Sequence, residues 1–374
     1  MRFGILYNID YQPRVHGSPS TYYEQILEQV ELLEDLGYDA AWFGEHHYSG
    51  YSFGNPAMIA LAAASRTKRL RLGTGVSLIP LHHPLRLAEE YAMLDVLSGG
   101  RLDYGVGRGF LSYAYDLFNI NLSESHERYH EGIELIIKAW TAEGPFSFDG
   151  LFWKLRDYEF FPKPVQKPHP PIFAAGAATP ASFTWAGQMG LDLCTALFGP
   201  DKTLLKNGIN SYRETLASNG FDPALRTVTS VTQMYCAETK AQALRHGGQY
   251  TLNYYKFFSD LDRRGSQPSA ARGFEKVRIE DLDAANLVLL GDPDDLVGRV
   301  AQVHDTFQID LLLFEVAQGG ASPEEVHQSL RLFARHVMPN FKQPVSPGVQ
   351  KAADSGSQIT KYPSDSRGRC RKIC

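Results

Sequence analysis

The sequence predicts an α/β protein built as a single (β/α)8 barrel, the TIM-barrel architecture. Short runs of apolar, β-branched or aromatic residues alternate with longer amphipathic segments, which is typical of parallel strands with helices packed outside them. The alternation recurs about eight times, which favours closure into a barrel over an open sheet. The length of 374 residues fits this fold, because α/β barrels often exceed about 250 residues as one domain.

The first four strand–helix units are regular. Glycines follow two of the predicted helices, at Gly37 and Gly99, where they are suited to end a helix. In chain order the predicted elements are a strand at 3–7, a helix at 22–36, a strand at 39–44, a helix at 57–65, a strand at 70–78, a helix at 84–97, a strand at 101–106 and a helix at 123–141.

Two excursions interrupt the last four units. Residues 145–171, rich in Phe, Trp, Tyr and Pro, follow the fourth strand and are predicted to form an irregular or hairpin segment, and residues 260–285 follow the seventh strand. The remaining predicted elements are a strand at 171–175, a helix from 180, a strand at 191–197, a helix at 202–218, a strand at 227–236, helices at 240–255 and 293–306, a strand at 310–315 and a helix at 323–337.

The barrel is predicted to span residues 1–341. Beyond it the chain becomes rich in Pro, Ser, Gly and Lys, so residues 342–374 are predicted to be a disordered tail.

Composition and charge exclude several classes of partner. The formal charge is −5, from 37 basic and 42 acidic residues, so no global basic field exists to bind nucleic acid or an anionic membrane. No run approaches the roughly 18 apolar residues of a membrane span, and the first residues lack a signal-peptide apolar region. The four cysteines are too few for a disulfide framework. We therefore expect a cytoplasmic protein with reduced thiols.

In a (β/α)8 barrel the functional residues lie at the carboxyl ends of the strands. Glu45, His46 and His47 follow the second strand, where a histidine suits acid–base chemistry because it titrates near neutral pH. A metal site is an alternative, although adjacent side chains on an extended backbone point to opposite faces and cannot easily bind one ion. The structural alternative is one buried, hydrogen-bonded histidine and one solvated histidine.

The fourth strand ends in Gly107, Arg108, Gly109 and Phe110. The two glycines allow a close approach of the backbone to a ligand and a positive φ, and the arginine between them matches a phosphate group. The alternative is a tight turn with a solvated arginine.

The fifth strand is followed by small residues, including Gly176, Ala177 and Ala178, and then by Thr179 and a helix starting at Pro180. Free N–H groups and the dipole of a helix N-terminus favour a phosphate, although small residues can also simply ease packing. Since this strand neighbours the fourth, the two strand ends are expected to bind one phosphate together. The chain lacks G-x-S-x-G, H-E-x-x-H, P-loop and Rossmann motifs.

Several segments together resemble the catalytic subunit of bacterial luciferase and its flavin-dependent monooxygenase relatives, over residues 1–341. The segments are Phe3-Gly4, Trp42-Phe43-Gly44-Glu45-His46-His47, Gly54-Asn55-Pro56, Leu72-Gly73-Thr74-Gly75, His83-Pro84-Leu85-Arg86, Leu94-Asp95, Gly100-Arg101-Leu102, Gly105-Val106-Gly107-Arg108-Gly109 and Val337-Met338-Pro339.

The resemblance implies a role for individual residues. Arg108 matches the arginine that binds the FMN phosphate, His46 matches the active-site histidine, and Gly75-Val76 matches a non-proline cis peptide bond under the flavin ring. The remaining matches are Gly107, Gly109 and Phe110 around the phosphate, and Gly176, Ala177 and Ala178 in the backbone stretch that completes the phosphate site.

Two departures narrow what the resemblance implies. The family's acidic and hydroxyl residues in the phosphate stretch read here as Gly176 and Ala177, so backbone N–H groups must bind the phosphate there. The reactive cysteine of luciferase corresponds to Gly107, so light emission is not implied.

The implied activity is a two-component monooxygenase. Reduced FMN from a separate flavin reductase reacts with dioxygen and oxygenates a small organic substrate through a peroxyflavin. The resemblance also implies a homodimer through the helices after the early strands, near residues 60–65 and 89–90. The alternatives are a deazaflavin-dependent hydride-transfer oxidoreductase, a phosphate-handling barrel lyase or isomerase, and a non-catalytic barrel subunit. No strand-end lysine suits an aldolase, and the presence of His46 and Arg108 argues against a non-catalytic subunit.

Overall fold

Eight parallel strands close into a barrel in the computed structural model, which describes residues 1–8, 10–47, 53–176, 179–197, 202–269 and 271–341. Each strand pairs with the next, and the eighth pairs with the first. Barrel strands 1 to 8 are Arg2–Tyr7, Ala40–Phe43, Arg71–Thr74, Leu102–Gly107, Ile172–Ala175, Asp192–Ala196, Val228–Cys236 and Leu311–Glu315. The predicted fold class is confirmed.

The helices lie between successive strands, as a parallel barrel requires. Several begin with proline after a capping residue: the Ser18 side chain accepts from the Thr21 N–H, and Asn55 caps the next long helix in the same way. The helices are Pro13–His16, Pro19–Leu36, Pro56–Arg66, Pro84–Ser98, Ser112–Phe118, Ser125–Thr141, Pro180–Gln188, Lys202–Ser218, Lys240–Asp262, Ile279–Ala284, Pro293–Phe307 and Pro323–Leu332.

Alternation along the strands divides the apolar residues between two cores. Phe3 and Ile5 pack in the large cluster shared with the helices, whereas Leu6 belongs to a small cluster inside the barrel. The Trp42 ring fills this interior, with its centroid 4.9 Å from that of Phe173. The side chain of Trp42 occupies the space beside Gly73, where a Cβ atom would lie 2.4 Å from the indole nitrogen.

Three predicted boundaries are wrong, and two elements were missed. Strand 3 is not continuous over 70–78 but ends at Thr74, and a separate short strand follows at Ser77–Leu78. The helix predicted at 240–255 continues to Asp262, because the buried side chains of Phe258 and Leu261 extend its apolar face. The last helix ends at Leu332 and continues as a π-helical turn, Phe333–Val337. The helix Ser112–Phe118 and the strand Leu289–Gly291 were not predicted.

The first excursion contains an antiparallel hairpin, Phe146–Asp149 and Lys154–Tyr158. The Glu131 carboxylate stabilises the turn of this hairpin, because it accepts hydrogen bonds from the backbone N–H groups of residues 151–153 at 2.8 to 3.0 Å. The second excursion contacts the helix Ser112–Phe118, because Ser266 donates from N and Oγ to Asp116 at 2.9 Å and Gln267 donates from its backbone N–H to Ser112 Oγ at 2.9 Å. This segment, residues 263–269, therefore lies beside the first helix that follows strand 4.

Two sequence predictions concern the rest of the chain. Within the described ranges, no helix is both long enough and apolar enough to cross a membrane. Cys194 and Cys236 are buried and form no disulfide bond. The predicted tail, residues 342–374, lies outside the described residues.

Candidate active site

A cleft of about 300 Å³ lies at the carboxyl ends of the early strands. This volume is at the lower end of the range usual for small-molecule sites. The cleft is lined by eight of the residues predicted for the site, namely His46, Gly75, Val76, Gly107, Arg108, Gly109, Phe110 and Thr179. Gly176 is buried beside the cleft, where its N–H donates to the Cys194 carbonyl at 2.9 Å. Ala177 and Ala178 lie outside the described residues.

The floor of the cleft is formed where strand 3 breaks. The Gly75–Val76 peptide bond is cis, as the resemblance implied. The Val76 side chain packs against the end of strand 4, where a Cβ atom on Gly107 would lie 2.4 Å from Val76 Cγ2. The close approach of Val76 therefore requires glycine at position 107. The expectation of a positive φ is confirmed only for Gly109, at 77°, because Gly107 still belongs to the strand.

Arg108 presents an exposed guanidinium group to the cleft. Its Nη1 donates to Ser125 Oγ at 3.0 Å, and the Tyr115 hydroxyl donates to its carbonyl oxygen. Within the described parts of the chain, no carboxylate lies within ion-pair distance of Arg108. The positive charge is thus held in place by neutral groups and is available to an anion.

The helix Pro180–Gln188 begins at the same cleft. Thr179 is its capping residue, yet the Thr179 side chain makes no capping hydrogen bond and lies 2.7 Å from Ser182 Oγ instead. Ala181 and Ser182 also line the cleft. The helix N-terminus and Arg108 therefore border the same space, and both favour an anion there.

Aromatic side chains form the wall next to this anion site, and the sequence analysis did not predict them. The His130 ring stacks on Trp185 with centroids 4.3 Å apart and an interplanar angle of 8°, and His126 contacts His130 at 4.2 Å. Burial, and then the neighbouring His126, lowers the pKa of His130 to about 4. The His130 ring is therefore neutral near pH 7.

His46 is held at the cleft by a buried amide. Its Nε2 lies 3.0 Å from Asn8 Oδ1, and its ring packs edge-on against Phe258 at 5.6 Å. Burial lowers the pKa of His46 to about 4. The charge of Glu45 acts to raise this pKa, whereas His47 lowers it further.

A buried polar network fixes the orientation of Asn8. Its Nδ2 donates to the Glu315 carboxylate and to the Tyr254 hydroxyl at 3.2 Å, so Oδ1 must face His46. Glu315 also accepts from Tyr254 at 3.0 Å and from Gln233 Nε2 at 2.7 Å. Because Oδ1 can only accept, the proton of a neutral His46 ring is on Nε2 and the lone pair is on Nδ1. Burial raises the pKa of Glu315 to about 7, although these hydrogen bonds act to lower it.

Asn8 and Glu315 were missed by the sequence analysis. Asn8 directly follows strand 1, and Glu315 is the last residue of strand 8. The strand-end rule that selected His46 and Arg108 could have selected both.

His47 faces away from His46 and contacts a second cluster. Its Nε2 lies 2.8 Å from Glu45 Oε1, and His82 Nε2 lies 2.5 Å from the same oxygen. Burial raises the pKa of Glu45, but the hydrogen bonds from His47 and His82 outweigh it and lower the pKa to about 2. His83, which is adjacent to His82 in the sequence, caps its helix by accepting from the Leu85 N–H at 3.3 Å.

The sequence profile of a family described as luciferase-like monooxygenase matches residues 1–308 of the chain. The chain belongs to this family. Relatives are named as monooxygenases, which confirms the predicted enzyme class, a flavin-dependent monooxygenase and hence an oxidoreductase. The 4-hydroxyprotoasukamycin monooxygenase of Streptomyces nodosus subsp. asukaensis is 27% identical over 322 residues, 84% of this chain and 86% of the relative. The oxygenase component of a flavin-dependent trigonelline monooxygenase from Acinetobacter baylyi is 35% identical over 174 residues, 46% of this chain and 48% of the relative.

Solved structures share the fold. Monooxygenase RslO1 from Streptomyces bottropensis superposes with a TM-score of 0.80 at 30% identity, over 91% of this chain and 100% of that chain. The FMN complex of the oxygenating constituent of 3,6-diketocamphane monooxygenase from Pseudomonas putida gives 0.74 at 21% identity, over 92% and 99%. An F420-dependent secondary alcohol dehydrogenase gives 0.73 at 18% identity, over 91% and 99%. The last two are similar in fold alone, and the luciferase-like fold therefore serves both FMN and deazaflavin enzymes.

Proposed function

We propose that this luciferase-like protein is the oxygenase component of an FMN-dependent, two-component monooxygenase. It would use reduced FMN and dioxygen to oxygenate a small organic substrate. When bound, reduced FMN supplies the electrons that activate dioxygen. A separate flavin reductase would provide it, as the name of the trigonelline relative suggests for that enzyme.

The observation that carries this proposal is the anion site at one end of the cleft. Arg108 has no carboxylate partner among the described residues, and the Pro180–Gln188 helix begins beside it without a side-chain cap. A terminal phosphate monoester fits this arrangement, since a guanidinium group and a helix N-terminus both favour a doubly negative oxyanion. Thr179 would complete the phosphate contacts, together with Ala177 and Ala178, which lie outside the described residues.

The rest of the cleft suits a flat ring system. Val76 and Gly107 form a surface without protruding polar side chains, and Phe110 lies at its edge. A ring held there would be placed near His46, which lines the same cleft.

His46 is the proposed acid–base residue. Asn8 holds the Nε2 proton, so proton exchange with a substrate or reaction product would occur at Nδ1. The segment 263–269, bonded to Ser112 and Asp116, would limit the entry of water at the mouth of the barrel.

We also propose a homodimer. Helices Pro56–Arg66 and Pro84–Ser98 expose large apolar side chains, namely Met58, Leu61, Met93, Val96 and Leu97. An exposed apolar face of this kind is typical of an interface between subunits. The cytoplasmic location and the disordered tail at 342–374 likewise remain proposals.

An anaerobic titration of the full chain with photoreduced FMN, and in parallel with a reduced deazaflavin, tests the choice of cofactor. The proposal predicts tight binding of reduced FMN and consumption of oxygen when the complex is mixed with aerated buffer. Binding of the deazaflavin alone would assign the chain to the hydride-transfer branch of the fold. Binding of neither would contradict the flavin proposal itself.

A further inference from the structure

We propose that Glu45, His47 and His82 form a binding site for a divalent transition-metal ion of the Zn²⁺ type, separate from the flavin cleft's anion site. Two imidazole nitrogens and one carboxylate oxygen are a ligand set that Zn²⁺ and similar ions accept, with water completing the coordination. The inference does not depend on the proposed flavin chemistry.

The three side chains come from two different strand ends and converge. Each offers one ligand atom, and these atoms all lie within 4.8 Å of one another. His46 is excluded because it faces Asn8, which leaves His47 as the histidine of the pair that can join a cluster. His82, from the segment after strand 3, supplies the second nitrogen.

In the structure both imidazoles are hydrogen-bonded to Glu45, and a metal ion would replace those protons. The Nε2 atoms of His47 and His82 lie 2.8 and 2.5 Å from Oε1. Two ligands about 2.0 Å from one tetrahedral Zn²⁺ are separated by about 3.3 Å, so each imidazole must withdraw by less than about 1 Å. The ion displaces the proton from Nε2 of each ring, which leaves Nε2 free to coordinate while Nδ1 carries the N–H of the ring.

The charge around the cluster favours a cation. The Glu45 side chain is only 1% exposed, and its Oε1 contacts both imidazoles. A divalent ion would compensate the charge of this buried carboxylate.

The surroundings orient the ligands and leave a path for the ion. The Leu78 N–H donates to Glu45 Oε2 at 2.9 Å, which fixes the carboxylate and directs Oε1 to the histidines. The Phe118 ring covers the cluster at 4.7 Å from His47 and 6.3 Å from His82. The side chains of His47 and His82 are 14% and 26% exposed, so water and the ion can reach them.

The test is a calorimetric titration of the full chain with ZnCl₂, together with the visible absorption of its Co²⁺ complex. Cys370 and Cys374 are first replaced by serine, because thiolates also bind these metals and give a separate charge-transfer absorption. We expect one equivalent of metal and a Co²⁺ spectrum of nitrogen and oxygen ligation. His82→Ala should weaken Zn²⁺ binding at least ten-fold.

His83→Ala is the matched control, because His83 is the adjacent histidine and caps a helix instead of contacting Glu45. It should bind Zn²⁺ like the parent. As a second readout, Zn²⁺ should raise the melting temperature of the parent and of His83→Ala but not of a correctly folded His82→Ala. Equal Zn²⁺ binding by the two histidine variants, or no binding by the parent, overturns the proposal. Neither result involves flavin, so failure here is distinct from failure of the proposed function.

Discussion

His46 Nε2 lies 3.0 Å from Asn8 Oδ1, and the Asn8 amide is itself oriented by the buried carboxylate of Glu315. The contact joins the ends of barrel strands 1, 2 and 8 in one hydrogen-bonded unit. Because an amide oxygen cannot donate, the unit selects the form of His46 that carries its proton on Nε2.

Replacing Asn8 should impair proton transfer by His46 but leave flavin binding nearly unchanged. Asn8→Leu removes the acceptor for His46 and leaves a buried N–H without its partner, which costs about 1 to 3 kcal/mol of unfolding free energy. Turnover should fall about ten- to hundred-fold, which is less than the roughly 10²- to 10⁴-fold that an acid–base residue contributes, because His46 itself is still present. The dissociation constant of reduced FMN, measured by anaerobic titration, should change little. Unchanged turnover in Asn8→Leu would show that Asn8 does not position His46.

Gly107→Ala should close the floor of the cleft. The added methyl group would lie 2.4 Å from Val76 Cγ2, so Val76 or the end of strand 4 must move, at a cost of about 1 to 3 kcal/mol. We expect loss of reduced FMN binding and a lower melting temperature. The double variant Gly107→Ala with Val76→Ala removes the clashing atom and should recover stability relative to Gly107→Ala. If the double variant were no more stable than Gly107→Ala, the contact with Val76 would not be the cause of the destabilisation.

Glu315 should make the protein less stable as the pH rises. Burial raises its pKa to about 7 from an ordinary 4.5, so between these values the folded state keeps a proton that the unfolded state has lost. The contribution of Glu315 to the unfolding free energy is fully present below pH 4.5, falls as the pH rises, and is lost above pH 7. The total is about 3 kcal/mol, from 1.36 kcal/mol per pKa unit.

Denaturation curves across this pH range measure the effect. Glu315→Gln, which cannot titrate, should flatten the fall in unfolding free energy. Asp192→Asn is a comparison variant, because burial also raises the pKa of Asp192 to about 7. Asp192 begins its strand and therefore lies at the opposite end of the barrel from Glu315. Asp192→Asn should flatten the same curve without altering reduced FMN binding. If the unfolding free energy of Glu315→Gln fell as steeply with pH as that of the unmodified protein, Glu315 would not be the group responsible.

The apolar face on the early helices should hold two subunits together. Leu97 is 60% exposed on the helix Pro84–Ser98, and an aspartate there would place a charge in the proposed interface. Leu97→Asp should shift the sedimentation coefficient from dimer to monomer. Leu151→Asp is the matched control, since Leu151 is 74% exposed on the hairpin turn, away from those helices. A monomeric unmodified chain, or a dimeric Leu97→Asp variant, would refute the dimer.

The sequence predicted the parts of the fold that periodicity encodes. The helix Lys202–Ser218 was predicted with its observed ends, and all eight barrel strands were located within one or two residues, apart from strand 3. Strand 3 was predicted too long because its apolar run continues through the backbone break at Gly75–Val76. The helix Ser112–Phe118 has only seven residues, too few to display a clear helical period.

The site was predicted where a residue type and a strand end coincide, as at His46 and Arg108. The partners of these residues could not be predicted by type alone. Asn8 and Glu315 are 307 residues apart and meet only because strands 1 and 8 close the barrel. Likewise, His47 and His82 share Glu45 through tertiary packing that no spacing in the sequence encodes.

The most direct test of the account compares reduced FMN with reduced riboflavin, which lacks the phosphate, in the unmodified chain and in Arg108→Ala. Charged hydrogen bonds contribute about 1.5 to 3 kcal/mol each, so the unmodified chain should bind FMN at least about ten-fold more tightly than riboflavin. In Arg108→Ala this preference should shrink toward one, while riboflavin affinity stays the same. An FMN preference that survives in Arg108→Ala, or that is absent from the unmodified chain, would contradict a phosphate site at Arg108.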